Sequence, residues 1–209
     1  MGNFVMRRHF RVRRPAYTGA MNRRFLLPLV LGLSVAPASA LTVTGVVQGS
    51  VAPDTRIGGF AVTPFGQPVQ ELVSAAVEDG KFRLDVALAA PPARAQAVLS
   101  PQNVSWPGVI DPVQVSAAAQ AGELKFFVYR DQNSNARHDD NEALREVMPM
   151  VGRSSLFLPW VSNDVTVTAN KGYQAALKKG WNAFLVDVGR VVNVQPFTES
   201  ARVNVSIKR

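Results

Sequence analysis

The chain contains no cysteine, which rules out thiol nucleophiles, disulfides, thiolate-bound zinc and iron–sulfur clusters. Histidine is nearly missing as well, with His9 and His138 the only two. A His-rich zinc or copper site within one chain is therefore excluded, and beyond the N-terminal segment any Ser-His-Asp triad would have to use His138. No apolar helix long enough to cross a membrane is foreseen, since the apolar run from Phe25 to Val35 falls far short of the roughly 20 residues required. Acidic residues are absent from the first 40 positions, which hold seven of the 23 Lys+Arg and none of the 15 Asp+Glu. The rest of the chain carries 16 basic against 15 acidic residues, a net of +1. The basic balance resides in the leader, so no electrostatic footprint for DNA or RNA remains and no nucleic-acid partner is expected.

What is present begins with an address. Met21-Asn-Arg23-Arg24 is basic, Phe25 to Val35 is apolar, and Ala38-Ser39-Ala40 supplies small residues at a cleavage point. That order is the layout of a secretory signal peptide over residues 21–40. Residues 1–20, with Arg7, Arg8, Arg11, Arg13 and Arg14, are superfluous to it and read as an upstream mis-start; the alternative is an unusually long basic region. Cleavage would expose Leu41, which is not a cysteine and takes no lipid anchor. The expected destination is the periplasm, the cell surface or the medium. The 169 residues left suffice for a core without disulfides.

Their dominant pattern has period two. Phe82, Leu84, Val86 and Leu88 alternate with Lys81, Arg83 and Asp85, and Val203, Val205 and Ile207 alternate with Arg202, Asn204 and Ser206. Leu124, Phe126 and Val128, and then Val165 and Val167, repeat the theme, each predicting a strand with one wet face. Further strands are expected at 42–48, 59–64, 95–99, 155–161, 181–188 and 190–195. The stretch from Val69 to Val77 reads as a strand, with a helix as the alternative, and 143–147 reads as a short helical turn. Asp79-Gly80, Lys179-Gly180 and Pro53-Asp54 supply turns.

Short strands and frequent turns predict an all-β protein, an antiparallel β-sandwich of one or two Ig-like units. Prolines 101, 107 and 112 and the small-residue run 116–122 mark a seam. It divides an N-terminal β-sandwich unit, 41–115, from a C-terminal β unit, 122–209, or else the two are halves of one sandwich. Val43-Thr-Gly-Val-Val47 and Glu78-Asp-Gly-Lys-Phe82-Arg-Leu84 resemble the transthyretin-like or carboxypeptidase regulatory-like sandwich. That resemblance implies a non-catalytic accessory domain on an exported protein.

The sharpest chemical signal is Asp131-Gln-Asn133-Ser-Asn135-Ala-Arg137-His-Asp139-Asp-Asn-Glu142. Oxygen side chains at positions 1, 3, 5, 9 and 12 follow the spacing that wraps a loop around Ca²⁺, a hard cation taking about 6–8 oxygen ligands. Asp131, Asn133 and Asn135 would offer side-chain oxygens and Arg137 its carbonyl. Asp139 would bind directly or through water, and Glu142 with two oxygens. The loop resembles those of EF-hands, dockerins and the B-type repeats of surface adhesins. Those loops carry glycine at position 6, where this chain has Ala136. A Cβ in the left-handed region costs about 1 kcal/mol, so a weak site is expected, with Kd about 10⁻⁴–10⁻³ M. A metal-free Asp/Asn-rich turn is the alternative.

Other chemistry is thinner. His138 is expected to be a solvated loop residue. Asp85, Asp111, Glu123, Asp164 and Asp187 are unpaired in sequence and read as exposed positions. Trp106, Trp160, Trp181, Tyr129 and Tyr173 offer either core or a platform on which glycan rings stack. The expectation is a non-enzymatic envelope or extracellular protein with a calcium-stabilised loop, its partner another envelope protein or a glycan. A carbohydrate-binding module is the alternative, and a carboxylate hydrolase is a third reading.

Overall fold

A computed structural model describes residues 41–86 and 89–207. The mis-start, the signal peptide and Leu88 lie outside the described residues. The described residues belong to one compact unit. It is an all-β protein.

The first four strands are β1 (Leu41–Gln48), β2 (Thr55–Val62), β3 (Pro68–Ala76) and β4 (Lys81–Val86). Two short strands, β5 (Ala97–Leu99) and β6 (Gln114–Val115), precede the long β7 (Ala119–Arg130). After the acidic loop come β8 (Arg145–Val147), β9 (Met150–Val151), β10 (Ser154–Val161) and β11 (Val165–Thr168). The last five are β12 (Gln174–Leu177), β13 (Gly180–Trp181), β14 (Phe184–Val188), β15 (Val192–Pro196) and β16 (Arg202–Ser206).

Strand order through the main sheet is β3-β2-β7-β10-β9-β16-β1-β4. β10 serves both halves of it. Its first residues pair with β9 and β14, and its last with β7 and β13, as in Leu156↔Leu185 against Leu158↔Leu124. The result is sandwich-like. Between the layers lie Val43, Leu84, Val203 and Val205 from one side, and Ile57, Leu124, Phe126 and Leu158 from the other. Each such side chain contributes about 1.5–3 kcal/mol through burial. Alternation in β4 and β16 does what the period-two pattern foretold, placing Leu84, Val86, Val203 and Val205 at 0% exposure.

Three findings go beyond the sequence pattern. β1 pairs with β16 in parallel, the one parallel ladder among the described residues. β2 pairs with β7, so strands from both sides of the 115/122 seam share hydrogen bonds. The sheet β12-β11-β6 covers a second core of Phe157, Val167, Tyr173, Leu177 and Val186. The two segments that carry the transthyretin-like resemblance lie side by side, Gly45 opposite Phe82. A Cβ on Gly45 would run into the Phe82 ring and the Val203 side chain, so this close approach requires glycine.

Some expected elements differ. The stretch after the acidic loop is not helical, because Arg145 and Val147 are claimed by β7 as strand partners. The predicted strand 181–188 is split at Asn182, whose side chain bonds back to the backbone of Lys178. β7 starts at Ala119, inside the run that reads as featureless, because small residues suffice where β5 and β10 flank it.

Candidate functional site

β7 ends at Arg130 and hands the chain directly to the acidic loop, whose other end returns as β8 against β7. The entry is clamped. Arg130 forks onto Asp54 with Nη2 2.8 Å from Oδ2, and the Asp131 N–H donates to the Asp54 carbonyl. The Arg130 guanidinium holds the Asp54 carboxyl below the usual carboxylate range.

Inside the loop, side-chain oxygens collect backbone N–H groups. Asp131 Oδ1 accepts from Asn135 N at 3.1 Å and Oδ2 from Ala136 N at 2.9 Å. Asn133 Oδ1 accepts from Asn135 N, and Asn135 Oδ1 from Arg137 N. Glu142 closes the loop, Oε1 accepting from Gln132 N at 2.8 Å and Oε2 from Asp139 N at 3.1 Å. The Asn133 and Asn135 amides both donate to Asp139 Oδ2, at 2.8 and 2.7 Å. Of the six candidate ligands, Asp131, Asn133, Asn135, Asp139 and Glu142 thus belong to one side-chain network, which Arg137 joins through its N–H.

Burial separates them. Asp131 and Glu142 are 6% and 3% exposed, whereas Asn133, Asn135 and Arg137 are exposed and Asp139 is half-buried. Asp140 and Asn141 face solvent, as the spacing predicts. Ala136 takes φ 64°, the left-handed conformation that glycine would supply at this position. Both carboxylates at the loop ends rest mainly on neutral N–H donors. Among the described residues the nearest cation is Arg56 on β2, with Nη1 3.9 Å from Asp131 Oδ2. A buried carboxylate with so little positive charge around it suits an added cation, and the donor set is all oxygen, as a hard ion demands.

His138 is not the solvated loop residue that the sequence predicts. It is half-buried, with its ring edge-on to Phe60 and Tyr129 at 5.5 and 5.3 Å. Its Nε2 lies 2.8 Å from the Glu142 carbonyl. Glu71 on β3 binds the same corner, accepting from Tyr129 Oη at 2.7 Å and from His138 N at 3.1 Å. Burial pushes the Tyr129 hydroxyl up to about 12, so it remains a donor. Arg56 and Glu71 reach the loop from strands distant in sequence, and no local spacing marks them, whereas Tyr129 lies on β7 just before the loop.

The other candidates scatter. Trp106, Trp160, Tyr129 and Tyr173 are buried, and Trp181 is half-buried with its indole N–H on the Ala89 carbonyl. These five side chains are packing, and they form no exposed row for sugar rings. Asp85, Asp164 and Asp187 are ion-paired with Arg83, Lys178 and Arg153, and Asp111 is exposed. Glu123 is the exception. It is half-buried, and burial raises its carboxyl to about 7, with Lys125 pulling it down and Glu146 pushing it up. Glu123 and Lys125 read as the wet face of a strand, yet the segments around Ala95 and Trp106 line one cleft with Glu123.

No protein-family model matches this chain, and no curated protein or solved structure matches it either.

Proposed function

We propose that this is a non-catalytic exported β-sandwich protein of the cell envelope or extracellular space, whose Asp131–Glu142 loop binds Ca²⁺ and so rigidifies the β7–β8 connection. One observation carries the reading: the carboxylates at positions 1 and 12 of the loop are buried and hydrogen-bonded around a left-handed Ala136, while cationic compensation is slight. Asp131, Asn133, Asn135, Asp139 and Glu142 would hold the ion through side-chain oxygens and Arg137 through its carbonyl. The bound ion would supply positive charge and cross-link the loop. Its role is binding or structural, towards another envelope protein. The leader Met21–Ala40 supports export.

Thermal melting tests the metal. With a Kd of about 10⁻⁴–10⁻³ M, about 10 mM Ca²⁺ stabilises by about 1.4–2.7 kcal/mol, a rise in Tm of about 3–10 °C. Mg²⁺ gives no comparable rise, because it demands a tighter octahedral shell. Glu142→Ala melts lower outright, since Gln132 and Asp139 lose an acceptor, and it shows no calcium-dependent rise. A chelator-insensitive Tm at millimolar calcium ends the metal reading. N-terminal sequencing of the exported protein is expected to begin near Leu41.

A further inference from the structure

A second site lies on the outer face of β7, away from the loop's metal-ligand set. There the β2–β3 turn, the segment around Ser105 and the stretch 146–149 enclose a groove of about 280 Å³. That is about the lower limit for a small-molecule site. The turn is braced. Thr63 N donates to the Gln67 carbonyl, Gly66 N to the Thr63 carbonyl, and Gln67 N to Thr63 Oγ1. On this rigid tip Phe65 is 92% exposed, and across the groove Met148 is 60% exposed. Two large apolar side chains held in water at one groove mark a contact surface.

The floor carries an odd charge. Lys125 Nζ is paired with Glu146 Oε1 at 2.9 Å. That pair leaves Glu123, which lines the same groove, with only a share of the Lys125 charge. Among the described residues no donor reaches the Glu123 carboxyl, and the two charges acting on it are Lys125 and Glu146. Two carboxylates to one ammonium leave a deficit of one positive charge. A hard divalent ion would need more oxygens than remain free here. An aromatic face beside a partly desolvated carboxylate is the pairing that recognises an organic cation.

We propose that this groove binds a small organic ammonium, a protonated amine on an apolar body, with Glu123 as its counter-ion and Phe65 as its aromatic wall. Met148 and Pro107 line the apolar part, and the Ser105 hydroxyl is available to an ammonium N–H. Binding requires ionised Glu123, so it strengthens as pH rises past about 7 and releases protons.

The test is an amide-resolved NMR titration of the full protein with 2-phenylethylammonium, set against 2-phenylethanol as the neutral isostere. At about pH 8 the amine gives saturable shifts at residues 63–67 and 121–125, and the alcohol gives none. Glu123→Gln and Phe65→Ala each weaken binding about tenfold, and so does lowering the pH to about 5.5. Phe65→Ala is a control for folding, since the exposed ring supports no core. Equal binding of the alcohol, undiminished binding by Glu123→Gln, or no saturable shift with the amine overturns the proposal. Binding of the tripeptide Ala-Lys-Ala without binding of the free amine overturns it too, and assigns the groove to a chain segment. The calcium melts are independent of every outcome here.

Discussion

Glu123 shows how one side chain can be named in a sequence yet misjudged in role. Between Gly122 and Leu124 it reads as a wet-face residue of an alternating strand, but residues between Ala95 and Trp106 crowd it from a distant part of the chain. Its stability linkage has a definite sign. The folded carboxyl titrates near 7, above its unfolded value, so the folded state binds the extra proton between about 4.5 and 7. Stability therefore falls as pH rises through that window. Glu123→Gln removes the penalty. Urea denaturation should show the variant gaining on the native protein from about pH 4.5 to 7 and reaching a plateau of about 1–2 kcal/mol, after discounting for partial exposure. A gap that does not change with pH contradicts the raised carboxyl.

The acidic loop is the element most legible beforehand, because its oxygen spacing is local and its position-6 backbone is dictated by the turn. Ala136 takes the left-handed conformation that the spacing implies. What holds the loop against the sheet is not local. Arg56 lies beside Asp131 and also donates through Nη2 to Ser74 Oγ, which in turn donates to the Ala136 carbonyl. A guanidinium at 3.9 Å opposes a second cation at Asp131, so Arg56 weakens calcium binding under the proposed reading. Arg56→Gln is expected to melt lower without calcium, because it strips Asp131 of its nearest charge. Its calcium-dependent rise should be larger, with Kd tighter by about tenfold, or about 1.4 kcal/mol. Isothermal titration of both proteins decides this, and an unchanged or weaker Kd refutes it. His138 escaped the sequence reading for a similar reason: the aromatic pocket that receives it, Phe60 and Tyr129, belongs to β2 and β7.

Across the molecule the ends of the described chain hold each other. β16 sits between β1 and β9, its Val203 and Val205 at 0% exposure in the inter-layer core. Deleting residues 202–209 removes both valines and leaves two unpaired strand edges, a loss of about 3–6 kcal/mol in burial alone. That is comparable with the whole stability of an ordinary domain, so the truncated protein should lose its cooperative thermal transition and near-ultraviolet dichroism. A sharp melt within a few degrees of the native protein would contradict the central position of β16.

The all-β class and the faces of β4 and β16 could be read directly from the chain, as could the oxygen spacing of the acidic loop, because alternation and spacing are properties of neighbours. Strand order could not. The parallel β1–β16 ladder, the passage of β10 between layers, the burial of the tryptophans and the isolation of Glu123 each depend on which distant segments meet. Those meetings are decided by mutual burial of apolar faces, and many pairings of similar strands satisfy the same local pattern.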